Sequence, residues 1–193
     1  VTFIDGQFTE YVNENDIEVG TLTYQRTFPT VWTPIYVPFE IPVAELAEQG
    51  FEVAYINGVR RDDVDEDGEL DKFVMEVIYI HGGNADGSAK TLKANYPYFL
   101  RAKSAVTQLN LTLNGVTLHK SEDKSYDCTT MTEKFEIIGN NSVMASSEFA
   151  DNMYVVGQDA NGKTGWGPIN NGSSLKPFRV YMTVTDRENA MPI

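Results

Sequence analysis

The chain has 193 residues, 41% of them apolar and 11% aromatic, which is enough to bury a hydrophobic core and excludes wholesale disorder. Its 28 Asp and Glu residues outnumber 15 Lys and Arg residues, so the net charge is −13. That charge disfavours nucleic acid and anionic membrane surfaces as partners, and no apolar run approaches the roughly 20 residues that span a bilayer. We therefore predict a soluble chain with no nucleic-acid partner and no direct membrane insertion.

Alternating strand patterns begin at residue 22. In "LTYQRTF" the side chains of Leu22, Tyr24, Arg26 and Phe28 fall on one face. The next segment, "WTPIYVPFEIP", places Ile35, Val37 and Phe39 on one face, and its prolines indicate an edge position or a bulge. "PVAELAEQG" then predicts one short helix, which packs Val43 and Leu46 onto a sheet.

The later strand signals are equally regular. Residues 51–57 and 73–80 predict the two strands of a hairpin, because both are rich in β-branched and aromatic residues. Asn114-Gly115 predicts a hairpin turn after an alternating segment. Two further segments place their inward side chains at alternate positions: Leu109, Leu111 and Leu113 in one, and Phe178, Val180, Met182 and Val184 in the other.

These signals predict an all-β fold. Roughly ten short strands with frequent turns and one short helix are typical of an antiparallel two-sheet β-sandwich. We expect a single domain over residues 1–193, because the sequence shows no repeat and no interdomain linker. Residues 1–20 are either an edge strand of this domain or a loose lead-in.

The predicted hairpin carries a strongly acidic tip, in which seven of residues 62–71 are Asp or Glu. The spacing follows the D-x-D-x-D-G pattern of calcium loops, with these candidate ligands: Asp63, Asp65, Asp67, Glu69 and Asp71. Val74 stands where an EF-hand needs a bidentate Glu, and strands rather than helices flank the loop, so this is no EF-hand. Two interpretations stay open: a calcium loop in a β context, or an acidic hairpin tip that discourages sheet association.

No catalytic residues are predicted. His81 and His119 belong to no nucleophile or metal motif, and the lone Cys128 has no base placed beside it, so apolar packing is its expected role. Four aromatic side chains are predicted to point outward: Tyr36, Tyr96, Trp166 and Tyr181. We predict a stacking surface with Trp166 and Tyr181 as ligand-binding residues, against the alternative that these rings serve ordinary packing.

Several segments resemble a family of surface proteins. They are "LTYQRTFPTVWTPIYVPFEIP", "FEVAYING", "LKANYPYFLRAK" and "LKPFRVYMTVTDRE", and together they span about residues 22–188. They resemble a module of large surface proteins of Bacteroidales, which is often found downstream of BspA-like leucine-rich repeats. The resemblance implies a secreted or cell-surface, non-enzymatic β-sandwich with a role in cell adhesion and no catalytic residues to carry over. The chain shows no leucine-rich repeats, so a binding role located in such repeats cannot be transferred to it.

We therefore expect a non-enzymatic extracellular module that acts by binding or spacing. Its expected partner is a host protein or a glycan, and it needs no cofactor unless the acidic loop binds calcium. The alternative is a carbohydrate-binding module or appendage of a carbohydrate-processing enzyme, which an open groove lined by Trp166 and two carboxylates would favour.

Overall fold

A computed structural model describes residues 1–62, 66, 72–82, 90–128, 133–158 and 164–186. The one α-helix described is α1 (Val43–Glu48), and a single 3-10 turn covers Ser146–Glu148. The described strands are β1 (Thr2–Ile4), β2 (Ile17–Phe28), β3 (Thr33–Ile35), β4 (Ile41–Pro42), β5 (Phe51–Asp62), β6 (Lys72–Ile80), β7 (Thr91–Leu92), β8 (Tyr98–Ala102), β9 (Thr107–Leu118), β10 (Ser125–Asp127), β11 (Glu133–Asn140), β12 (Met144–Ala145), β13 (Met153–Gln158), β14 (Thr164–Gly167), β15 (Ser174–Leu175) and β16 (Arg179–Asp186).

The predicted all-β class is confirmed, but the finer prediction of a two-sheet sandwich of about ten strands is not. Hydrogen bonding divides the described strands into five groups. Three are sheets, with strand orders β1-β2-β9, β3-β8-β5-β6 and β10-β11-β16-β13-β14. The pairs β4-β7 and β12-β15 form two short ribbons. Within the described ranges, no helix is long and apolar enough to cross a membrane.

The three-stranded sheet is built on the pairing of two twelve-residue strands, β2 and β9. Their predicted inward faces are confirmed, because every residue on them is at most 9% exposed: Leu22, Tyr24, Arg26, Phe28, Leu109, Leu111 and Leu113. β1 runs parallel to β2 at the edge of this sheet and buries Phe3. The sheet therefore forms one wall of a core.

The described apolar side chains separate into two cores. The large core lies between the three-stranded and four-stranded sheets and also takes Val43 and Leu46 of α1, as predicted. The small core lies on the five-stranded sheet, with these buried members: Tyr36, Val59, Phe135, Ile137, Val180, Met182 and Val184. The predicted inward face of the last strand is thus confirmed, although Phe178, which precedes β16, belongs to the large core.

The four-stranded sheet supplies side chains to both cores. Val53 of β5 and Leu100 of β8 enter the large core, whereas Val59, farther along β5, enters the small core. The pairing of β5 with β6 shifts register between Ile56 and Gly58, which leaves one extra residue on β5. Such a bulge redirects the side chains that follow it. The hairpin of β5 and β6, predicted from residues 51–57 and 73–80, therefore links the two cores.

The hairpin turn predicted at Asn114-Gly115 is wrong, because both residues lie inside β9. β2 pairs with β9 on both sides of this point, from Ile17 opposite Leu118 to Phe28 opposite Thr107. Gly115 has φ +61°, which its missing Cβ permits, so the dipeptide makes a local irregularity within a long strand instead of a reversal.

Candidate functional site

Trp166 is anchored on the hairpin of β13 and β14, where it pairs with Val156. Its indole Nε1–H donates to Sδ of Met75 at 3.1 Å, and its ring meets Phe99 edge-on with centroids 6.4 Å apart. Trp166 packs against the small core and stays partly exposed. The ring is thus fixed in orientation, and its free surface faces a cleft.

We call this depression the Trp166 cleft; its volume is about 740 Å³. Aromatic and apolar groups line it together with amides and hydroxyls, among them Phe73, Tyr154, Gln158, Trp166, Asn170 and Ser173. Tyr154 lies against Phe73 with centroids 4.7 Å apart, which extends the aromatic wall. Among the described residues that line the cleft, none is Asp or Glu. Stacking rings beside amide and hydroxyl groups are the groups that bind an uncharged polar ligand.

Tyr181 lies on the other face of the five-stranded sheet. It pairs with Val155 on β13, whereas Trp166 pairs with Val156, the next residue, and successive residues of a strand point to opposite faces. Its ring packs against Phe149, with centroids 5.9 Å apart. Burial raises the pKa of the Tyr181 hydroxyl, and the nearby carboxylates of Asp123 and Glu136 add to the rise. The structure therefore does not bring Trp166 and Tyr181 together.

The other two aromatics expected to point outward do not join a platform either. Tyr36 is fully buried in the small core and donates its hydroxyl to the carbonyl of Glu122, so the prediction of an outward Tyr36 is wrong. Tyr96 packs against Tyr98 and Tyr126, with centroids 4.8 and 4.3 Å away. Of the four rings, only Trp166 lines the Trp166 cleft.

The five candidate calcium ligands all lie outside the described residues: Asp63, Asp65, Asp67, Glu69 and Asp71. β5 ends at Asp62 and β6 begins at Lys72, so the strands on either side of the acidic segment are in place. Within the described ranges, no group of three His, Cys, Asp or Glu side chains is placed to hold a metal ion. The calcium loop stays a prediction.

The remaining reactive side chains are separated from one another. His119 places Nδ1 3.2 Å from Oδ2 of Asp16, and His81 is exposed beside Tyr79. Cys128 is partly buried at the border of the small core. Burial raises the pKa of its thiol, and Asp127 adds to the rise, which disfavours the reactive thiolate.

A second depression, the Arg26 cleft, adjoins the Trp166 cleft and has a volume of about 420 Å³. Three cationic side chains line it: Arg26, Lys176 and Arg179. The two clefts share wall residues of β13, β14 and β15, among them Val156 and Leu175. The sequence pattern alone did not indicate that these three cations share a site. The available signal was Arg26 itself, a charged residue on the inward face of an alternating strand.

Comparison of the chain with protein-family models, with curated proteins and with solved structures gives no match. The proposals below therefore rest on the residues and the geometry of this chain.

Proposed function

We propose that the chain is a non-enzymatic extracellular β-sandwich module of a bacterial cell-surface protein, which acts by binding a ligand in adhesion. The single observation that carries the proposal is the Trp166 cleft. An aromatic ring lies there with its orientation fixed by Met75 and Phe99, beside amide and hydroxyl groups of the cleft wall.

The shape of the cleft supports binding. A volume of about 740 Å³ falls in the range of small-molecule sites, and rings anchored before binding lose little freedom when a ligand stacks on them. A sugar stacked on Trp166 would lie in a cleft that also presents Gln158 and Asn170, whose amides can both donate and accept hydrogen bonds. A glycan is therefore the proposed ligand class. The second candidate function is a carbohydrate-binding appendage of a carbohydrate-processing enzyme, because such an appendage would bind its glycan with the same groups.

The exported setting of this module is supported by the resemblance of residues 22–188 to surface modules of Bacteroidales.

The test is binding to a glycan array, with Trp166→Ala as the disrupting variant and Trp32→Ala as the matched control. Trp32 packs against Tyr79 and does not line the Trp166 cleft. Trp32→Ala therefore removes an indole ring of the same size from outside the cleft. We expect Trp166→Ala to weaken glycan binding by roughly five- to 150-fold, since loss of a stacked ring costs about 1–3 kcal/mol, and Trp32→Ala to preserve it.

If the chain binds a host protein and gives no signal on the glycan array, the ligand is a protein and not a glycan. Equal binding by the two tryptophan variants would exclude the Trp166 cleft as the site.

A further inference from the structure

Arg26 is the only charged side chain among the buried residues that the structure describes, with 3% of its surface exposed. Its position on β2 follows from the alternation with Tyr24 and Phe28, which places the guanidinium on the inward face. The guanidinium carbon lies 4.4 Å from the centre of the Phe28 ring. Burying a charge in this way is costly unless a partner offsets the lost hydration.

The partners in place offset that cost only in part. Nη1 of Arg26 donates to the carbonyl of Pro34 at 2.9 Å and to that of Phe178 at 3.5 Å. No carboxylate among the described residues lies within ion-pair distance of Arg26. The hydroxyl of Tyr24 interacts with the guanidinium electrostatically but has no hydrogen-bond partner of acceptable geometry in the described chain. Within the described chain, the guanidinium is thus held by neutral groups and pairs with no carboxylate.

Arg26 stays charged at neutral pH. Burial, and then the positive charge of Arg179, together lower its pKa to about 10. A pKa of about 10 is still far above neutrality, and an arginine guanidinium resists deprotonation more strongly than other bases. The floor of the Arg26 cleft therefore carries a positive charge.

The walls of the Arg26 cleft add two more cations. Arg179 donates from Nη2 to Oδ1 of Asp5 at 2.7 Å, and Lys176 is exposed at the rim. None of the described lining residues is Asp or Glu, so three cations face the single carboxylate of Asp5. In a chain with almost twice as many acidic as basic residues, this is a local reversal of charge.

The backbone beside Arg26 is also unusual. Phe178 has φ +61°, a left-handed conformation that is rare for a bulky residue, and its carbonyl accepts from Tyr36 N–H as well as from Arg26. The Phe178 ring packs edge-on against Phe3 and close to Phe8, with centroids 5.2 and 4.9 Å away. Packing thus stabilises a strained backbone at the residue next to Arg179, which lines the Arg26 cleft, and such strain clusters at functional sites.

We propose that the Arg26 cleft is an anion-binding site that takes the carboxylate of a small organic acid, with Arg26 as the buried partner and Lys176 and Arg179 at the rim. A planar guanidinium pairs with a carboxylate through two parallel hydrogen bonds. The apolar part of the wall, Pro29, Val31, Pro34 and Leu175, suits the carbon ring of the acid. Because the two clefts share a wall, a glycan that contains an acidic sugar would reach both of them. This extension to a glycan rests on the proposed function, whereas binding of the free acid does not.

The experiment is an amide NMR titration of the whole chain with glucuronate, at constant ionic strength, with glucose as the neutral control ligand. We expect saturable shifts at Val31, Thr33 and Leu175, with a Kd on the order of 1 mM, and no such shifts with glucose. Sodium sulfate should compete for the same amides if charge is the main attraction.

Variants separate a binding site from a structural cation. Lys176→Gln removes an exposed rim cation and should weaken glucuronate binding by about two- to five-fold. Lys103→Gln, the same change at an exposed lysine outside both clefts, should leave it unchanged. Arg26→Met should weaken glucuronate binding at least ten-fold. A dispersed amide spectrum of this variant serves as the check that the chain is folded.

The proposal is overturned if no saturable shift occurs at tens of millimolar glucuronate, or if the two lysine variants weaken binding equally. Free glucuronate needs no stacking on Trp166, so Trp166→Ala should bind it normally even if the proposed glycan function fails. Loss of glucuronate binding in Trp166→Ala would place the anion in the Trp166 cleft and would likewise overturn the assignment.

Discussion

The contact between Gly139 and Tyr36 gives the sharpest stability prediction. Gly139 lies on β11, opposite Val180, and the fully buried Tyr36 ring lies directly against it. A Cβ atom at Gly139 would overlap Cγ, Cδ2 and Cε2 of that ring, far inside the 3.0 Å that real Cβ atoms keep from other heavy atoms. Gly139→Ala therefore forces the ring or the strand to move by about 1 Å in a close-packed interior.

The cost should be about 3 kcal/mol in the free energy of unfolding. Overpacking a core costs about 1–3 kcal/mol, and displacing Tyr36 also strains the hydrogen bond from its hydroxyl to the Glu122 carbonyl, which is worth about 1 kcal/mol. For a chain of this length we expect the midpoint of thermal unfolding to fall by roughly 6 to 12 °C. Urea unfolding followed by circular dichroism gives the same free energy independently.

Two controls isolate the clash. Gly157→Ala on β13 meets no heavy atom within 4 Å and should change stability by less than about 1 kcal/mol. In a Tyr36→Ala background the ring is absent, so Gly139→Ala should cost almost nothing, and the double-mutant cycle should show a coupling of about 3 kcal/mol. The reasoning is refuted if Gly139→Ala unfolds at the same urea concentration as Gly157→Ala, or if its cost persists without the Tyr36 ring.

Two further predictions concern calcium and alkaline pH. If the acidic loop binds calcium with a Kd of about 10⁻⁴ M, about 10 mM calcium should raise the melting temperature by roughly 5 to 10 °C relative to chelator, and Asp65→Asn with Asp67→Asn should abolish the shift. No shift would favour the acidic hairpin tip. Burial, and then the neighbouring Tyr96, raises the pKa of Tyr126 from 10.0 to about 12. Folding therefore favours the neutral form of Tyr126. Its contribution to the free energy of unfolding is complete below pH 10 and is lost as the pH rises towards about 12. Calorimetry should show a steep fall in melting temperature over that range and a shallower one for Tyr126→Phe; identical slopes would contradict this assignment.

Strands with one buried face and one solvent-exposed face could be predicted from the sequence. The second half of β2, from residue 22 to 28, and the first half of β9 alternate between core and more exposed positions, so their inward residues follow from the period of two alone. Helical spacing after Pro42 likewise predicts the helix that buries Val43 and Leu46.

The period of two fails where sheets cover both faces of a segment. Ile35 and Val37 enter the large core while Tyr36, between them, enters the small core. Tyr98, Phe99 and Leu100 are likewise buried in succession. A strand pattern shows which residues share a face, but not whether another sheet covers the second face, so the sequence placed Tyr36 in solvent.

The candidate site was predicted only in part. The sequence indicates Trp166 as an outward aromatic residue of a glycine-rich segment, and the structure places it, partly exposed, at a cleft. The sequence does not show that Tyr181 lies on the opposite face, because that depends on the strand partners of the two residues, which are neighbours on β13. Alternation puts Arg26 on the correct face of β2, but it does not show that Lys176 and Arg179, about 150 residues away in the chain, line the same cleft.

The hairpin of β5 and β6 has a mechanical consequence. One continuous strand, β5, places Val53 in the large core and Val59 in the small core. If either core unfolds, this strand moves and the packing of the other core is lost as well. Pulling or heating should therefore open both together, with no half-open form in which strand edges are offered to proteases. This shared strand therefore joins the two cores into one cooperative unit.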